Sequence, residues 1–116
     1  MAEIRAVFPH AWAEDIEKEM SQNKCTVYIV ENSGGCLIKK FDGMNTLFYL
    51  WVHESLRNQG IAQAIVKEVG EKNKPLPTFA RFREDEENIK TLFLKSGYEV
   101  VHKGVDKFWI VAYRNL

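Results

Sequence analysis

Arg57-x-x-Gly60-x-Ala62 is the stretch of this chain whose residue types and spacing could do chemistry. It follows an apolar run, Leu50-Trp51-Val52-His53, through a short polar loop, and it opens an amphipathic helix. Strand, glycine-containing loop and helix start together suggest a seat for a pyrophosphate. The first N–H groups of a helix have no partner within it, and the helix dipole draws negative charge to that end. Gly60 has no Cβ, so an anion could approach its backbone closely. Ile61, Ala62, Ile65, Val66 and Val69 share one face of the helix, with Gln63, Lys67, Glu68 and Glu71 opposite. No Ser, Thr or Asp directly precedes Ile61, which leaves N–H groups for a ligand. A plainer reading stands beside this one: Asn58 caps an ordinary helix.

The rest of the chain must hold that loop in place. Its 116 residues fit one domain, residues 1–116, with a modest core. A hydrophobic content of 46% with 12% aromatics marks a globular chain. The formal net charge of zero argues against a general nucleic-acid or membrane-surface binder. No apolar run is long enough to span a bilayer, and the start, Met1-Ala2-Glu3-Ile4-Arg5, lacks a signal-peptide pattern. The two cysteines, Cys25 and Cys36, fall on consecutive strands. A tight turn at Ser33-Gly34 would set Cys36 opposite Glu31, too far from Cys25 for a disulfide at ~3.3 Å per residue. Reduced thiols and a cytoplasmic location are the expectation.

Residues 2–8 alternate weakly and are expected as a first strand. Pro9 opens a helix to about Gln22, with Trp12, Ile16 and Met20 on one face. Residues 24–30 and 36–41 read as strands around the turn Glu31-Asn32-Ser33-Gly34-Gly35, and Asp42-Gly43 turns again. Residues 44–53 form a long strand apolar on both faces, with Phe48, Leu50 and Val52 against Leu47, Tyr49 and Trp51. That pattern marks a central strand covered on both sides. After the loop and helix, Lys74-Pro75-Leu76-Pro77 breaks the chain. A short strand at 78–83 precedes a helix at 86–96, where Gly97 takes the C-cap position. Residues 98–103 and 107–113 form a last hairpin.

This order is β–α–β–β–β–α–β–α–β–β, and here the chain resembles the GCN5-related N-acetyltransferase (GNAT) superfamily over nearly its whole length. Two segments carry the resemblance. Leu50-x-Val52-x-x-x-x-Arg57-x-x-Gly60-x-Ala62 is similar to the family's acetyl-CoA motif, and Leu92-Phe93-x-Lys95-x-Gly97-Tyr98 to its segment ending in Leu-Tyr-x-Lys-x-Gly-Phe. The resemblance implies an α/β fold with a mixed, partly antiparallel sheet flanked by helices. It implies that the strand at 44–53 splays from the one at 78–83 and that the pantetheine arm of acetyl-CoA lies in the gap. Main-chain groups near Leu50 and Val52 would hold that arm. Backbone N–H groups of Arg57, Asn58, Gln59, Gly60, Ile61 and Ala62 would hold the pyrophosphate, and Phe93 would border the cofactor. A backbone N–H of the same strand would polarise the thioester carbonyl, and no metal is needed.

Two departures from the family pattern matter. Phe93 stands where the family commonly has a Tyr that protonates the departing thiolate; Phe93 packs in the core on the plain reading, and Tyr98 or Tyr49 could replace the missing acid. Only about one helix fits before Lys24, where the family has two that roof the acceptor site. That shortened region leaves the acceptor cleft open, or a second copy of the chain completes it as a homodimer. A base for the amine is not marked. Thr46 stands where some protein-acetylating members carry Glu. His53 ends the central strand, where a surface role competes with a catalytic one. Glu84-Asp85-Glu86-Glu87 reads either as helix-terminal charge capped by Asp85, or as an acidic mouth with Glu84 as base through water. His102 and Asp106 are weaker candidates for acceptor contacts. The tryptophans Trp12, Trp51 and Trp109 are core or interface residues.

Two functions follow. One is an acetyl-CoA-dependent N-acetyltransferase acting directly on a primary amine, with a protein or peptide acceptor favoured by an open, acidic mouth. The other is a non-catalytic acyl-CoA-binding or interaction module on the same fold. The Arg57 to Ala62 loop favours the first, and Phe93 with the unmarked base favours the second.

Overall fold

The computed structural model describes residues 2–30, 32–41 and 43–113; the expected turn residues Glu31 and Asp42 lie outside them. Two helices come first, α1 (Ala2–Val7) and α2 (His10–Gln22). Three strands follow: β1 (Cys25–Val30), β2 (Gly34–Phe41) and β3 (Met44–Val52). A 3-10 turn (Glu54–Leu56) leads to α3 (Ile61–Asn73), then β4 (Thr78–Arg83), α4 (Glu87–Lys95), β5 (Tyr98–Lys103) and β6 (Phe108–Tyr113). The strands make one six-stranded sheet in the order β1-β2-β3-β4-β6-β5. Only β3 and β4 run parallel, joined by the α3 crossover, so the sheet is mixed as expected.

The first element departs from expectation: residues 2–7 are helical, not a strand. Ile4 and Phe8 sit four apart, both buried, and the Phe8 N–H donates to the Ile4 carbonyl at 2.9 Å. Arg5 holds this segment to α2 through two contacts with Glu17, at 3.1 and 2.7 Å. Two helices therefore precede β1 rather than one. In α2 the expected face is present, with Ile16 fully buried and Trp12 and Met20 packed beside it.

The sheet separates two apolar clusters. One, under α1 and α2, holds Ile4, Phe8, Ala13, Ile16 and Leu37, with Tyr49 and Trp51 against it. The other, under α3 and α4, includes Ile65, Val66 and Val69 of α3 with Leu47, Val52, Phe82, Phe93, Tyr98 and Tyr113. Gly97, with φ of 93°, takes the left-handed position just after α4 that a glycine adopts without strain.

The first hairpin differs from the expected tight turn. Val30 pairs with Gly34, and Asn32 between them is left-handed at φ 60°. Cys36 therefore lies opposite Tyr28, not Glu31, while Cys25 lies opposite Lys39. An odd offset puts the thiols on opposite faces of the sheet, one in each cluster, and both are free. Among the described residues no helix is long and apolar enough to cross a membrane.

Candidate active site

The site begins with one extra residue in β3. Gly35 pairs with Trp51 and Leu37 with Phe48, so Cys36 faces Tyr49 and Leu50 together. This is a β-bulge, and Tyr49 bears its strain at φ 54°, a region non-glycine residues rarely enter. The bulge breaks the strict alternation expected from the sequence. Phe48 now shares the α2 face with Tyr49 and Trp51, while Leu47, Leu50 and Val52 share the α3 face. It also bends β3 away from β4. The parallel pair is formed only at Asn45–Thr78 and Thr46–Phe79, and beyond Thr46 the strands part.

A cleft of about 340 Å³ occupies this gap. Leu50, Phe82, Ile89 and Phe93 line it from the α4 side, and Trp12, Phe48 and Tyr49 from the α2 side; Arg81 and Glu86 are its charged members. Phe93 is buried, stacked on Phe82 with ring centroids 6.0 Å apart. Trp12 meets Tyr49 edge to face at 5.8 Å and Trp51 at 5.4 Å.

A second cavity, of about 440 Å³, adjoins the first at Ile89 and lies between the α3 N-terminus and α4. Val52, Arg57, Asn58, Gly60, Ile61 and Ala62 line it, together with Gln63, Asn88, Leu92 and Lys95 from beyond the expected set. Gly60 occupies the N-cap with φ 78° and ψ 7°, and no side chain caps the helix. Asn58, itself left-handed at φ 67°, leaves the helix end uncapped, so the Asn58-cap reading fails. The first intrahelical bond runs from the Ala64 N–H to the Gly60 carbonyl, 3.0 Å, and the N–H groups before it have no helical partner. Of the ionisable groups lining this cavity, Arg57 and Lys95 are cations and none is a carboxylate. That composition suits a polyanion. Gln59 is exposed and does not line the cavity. Gln63 and Lys95, linked by a bond from Gln63 Nε2 to the Lys95 carbonyl at 3.4 Å, were legible only as a polar helix face and a motif residue.

The expected proton-transfer residues do not gather here. His53 accepts the Ser55 N–H at 3.3 Å and contacts Ser55 Oγ at 2.9 Å, which caps the 3-10 turn; it borders neither cavity. Tyr98 is buried, and its hydroxyl donates to the Val66 carbonyl at 2.8 Å. Burial pushes that hydroxyl well above the ordinary tyrosine range; the bond ties β5 to α3, and Tyr98 lines neither cavity. Glu84 is exposed, its N–H held by the Lys107 carbonyl at 2.8 Å, and Glu86 takes the place in the cleft expected of it. Asp85 does not cap α4; it pairs with Arg83 at 3.0 Å. Tyr49 does line the cleft, with its hydroxyl raised by burial and then by Asp15 and Glu19. His102 is exposed on β5, and Asp106 approaches Arg81 at 3.7 Å. Among the described residues no three His, Cys, Asp or Glu side chains gather as a metal site.

No protein-family model and no curated protein sequence matches this chain. Its backbone is nonetheless similar to many solved acetyltransferases. A Bacillus subtilis acetyltransferase in complex with CoA superposes with a TM-score of 0.69 at 14% identity, covering 89% of this chain and 84% of that one. An acetyltransferase from Thermus thermophilus gives 0.71 at 15% identity over 96% and 79% of the two chains. A GNAT family acetyltransferase from Elizabethkingia anophelis with acetyl-CoA bound gives 0.67 at 18% identity over 87% and 82%. At these identities the likeness speaks for architecture, and the chain has the GNAT fold.

Proposed function

We propose that this chain is an acetyl-CoA-dependent N-acetyltransferase that passes an acetyl group directly to a primary amine. One observation carries the reading: an uncapped helix start, flanked by Arg57 and Lys95 with no lining carboxylate, adjoins a cleft between splayed strands. A pyrophosphate matches the first part, and an extended acyl-pantetheine arm matches the second. CoA and acetyl-CoA in similarly folded acetyltransferases support the same co-substrate.

In this reading the phosphates meet the N–H groups of the loop and of Ile61 and Ala62. The arm lies along the unpaired edge of β3, against Leu50 and Val52. A backbone N–H beside the Tyr49 bulge polarises the thioester carbonyl. The amine nitrogen enters from the α2 side, past Trp12 and Tyr49, and attacks the carbonyl carbon; the C–S bond breaks. Glu86, the one carboxylate lining the cleft, receives the ammonium proton through water. The thiolate leaves unassisted by Phe93, tolerably so for a thiol of ordinary pKa near ~8.5. Trp12, Phe48 and Tyr49 wall the acceptor side, and the amine is that of a small molecule or of a peptide.

Turnover of acetyl-CoA, followed by free-thiol release with peptide and small amines, tests the reading. Acceptor-dependent thiol release is expected. Binding of acetyl-CoA with no release for any amine would instead support a non-catalytic module, the reading that the buried Phe93 favours.

A further inference from the structure

We propose that Arg81 selects acceptors bearing a carboxylate close to the reacting amine. This rests on the acetyltransferase reading and names the acceptor chemistry of the same cleft. Strand parity carries the first step. Ala80 and Phe82 point into the α3 and α4 core, so Arg81 points to the α2 face, the side from which an acceptor must come once a cofactor fills the other. It lines the cleft there with Trp12, Phe48 and Tyr49.

The charge pattern carries the second step. The four-carboxylate run was expected to make this mouth acidic, yet only Glu86 of the run lines the cleft, and Asp85 pairs with Arg83 at 3.0 Å. Arg81 is the cation at the mouth. Its guanidinium lies over the Phe108 ring, 4.0 Å from the centroid, which holds the plane in place and leaves its N–H edges available. Its nearest carboxylate, Asp106, sits at 3.7 Å, beyond hydrogen-bonding reach, with both side chains more than half exposed. A planar, pre-positioned guanidinium with a loosely engaged partner fits bidentate capture of a substrate carboxylate. The aromatic walls then receive the apolar part of the acceptor. The carboxylate could be the α-carboxylate of a free amino acid or an acidic side chain next to a peptide N-terminus.

The test uses matched acceptors on the full chain: glutamine against its α-amide, and a short peptide with Glu after its free N-terminus against its Gln counterpart. Thiol release from acetyl-CoA gives kcat/KM, and calorimetry gives acetyl-CoA affinity. In one pair or both, the carboxylate form should be preferred by roughly 10- to 100-fold. Arg81→Gln should abolish that preference, leaving acetyl-CoA affinity and turnover of the uncharged form unchanged. The responding pair identifies which carboxylate is read. Equal use of both forms, or equal loss of both in Arg81→Gln, overturns the proposal. So does acetyl-CoA binding with turnover only of amines lacking a carboxylate, or of none of these acceptors. Absence of acetyl-CoA binding would overturn the acetyltransferase reading itself, and the proposal with it.

Discussion

Arg57 reaches back over its own loop to the Val52 carbonyl: its Nε donates to that oxygen at 3.1 Å, while its guanidinium lies 4.7 Å from the Trp51 ring centroid. One side chain thus ties the loop before α3 to the end of the splayed strand. Arg57→Gln removes the fixed fork and a positive charge together. Acetyl-CoA affinity should fall about tenfold, since a hydrogen bond from a charged donor is worth about 1.5–3 kcal/mol and the site is open to solvent. Calorimetry on the folded variant checks this, and unchanged affinity would mean that Arg57 only braces Trp51.

Phe93 offers a test of the missing acid. It is buried yet lines the cleft beside Phe82. Phe93→Tyr should raise the rate of thiol release, by less than the ~10²–10⁴-fold of a well-placed acid, because the surroundings are built around a phenyl ring. Stopped-flow thiol detection measures it. A slower, less stable variant would show that the hydroxyl meets only apolar neighbours.

Gly70 opposes helix propensity to packing. It lies within α3, where Ala would ordinarily add ~1 kcal/mol of stability. Its Cβ, however, would land on the Tyr113 ring. Overpacking of this kind costs about 1–3 kcal/mol, so Gly70→Ala should destabilise by about 1 kcal/mol net. Denaturant midpoints read the sign directly; a stabilised variant would mean that the Tyr113 ring moves aside freely.

The chain should lose stability in alkali. Burial pushes the Cys36 thiol from 9.0 up to about 12. The hydrogen bond to Glu71 at 2.6 Å, and then burial, pushes the Tyr113 hydroxyl from 10.0 up to about 12. Both groups keep their protons in the folded state where the unfolded chain would release them. Their contribution is complete below the ordinary values and disappears as pH climbs to about 12. On the acid side, the Tyr113 bond and then the Lys74 contact lower Glu71, so its contribution fades as pH falls below 4.5. Tyr113→Phe should flatten both limbs of a plot of unfolding midpoint against pH. A midpoint that rises through the alkaline range would contradict this account.

Much of the fold is written in local pattern. The i, i+4 stripe of α3, the strand pair around Asn32, and Gly97 after α4 needed no tertiary information. The misreadings have physical causes. Residues 2–8 alternate weakly, and that pattern hid the i, i+4 pair Ile4 and Phe8 that α2 buries. The bulge at Tyr49 is invisible to a period-two reading because it is set by pairing with Gly35 and Leu37. The uncapped start of α3 was legible because backbone shape and Gly60 define it. Which carboxylate of the run lines the cleft was not legible, because Glu84 and Glu86 stand two residues apart and only the turn into α4 decides which one meets it.

The central claim is that acetyl-CoA binds with its pyrophosphate at the α3 N-terminus. Gly60 is left-handed at φ 78°, and a Cβ there meets nothing within 4 Å. Asn and Asp tolerate this backbone region about equally, so Gly60→Asn and Gly60→Asp differ mainly in charge. Calorimetric titration of acetyl-CoA into the three proteins isolates that charge. The account predicts saturable one-to-one binding to the parent chain, a modest loss in Gly60→Asn, and a further loss of at least about tenfold in Gly60→Asp, some 1.4 kcal/mol. Equal affinities for the Asn and Asp variants, or no binding to the parent chain, would contradict it.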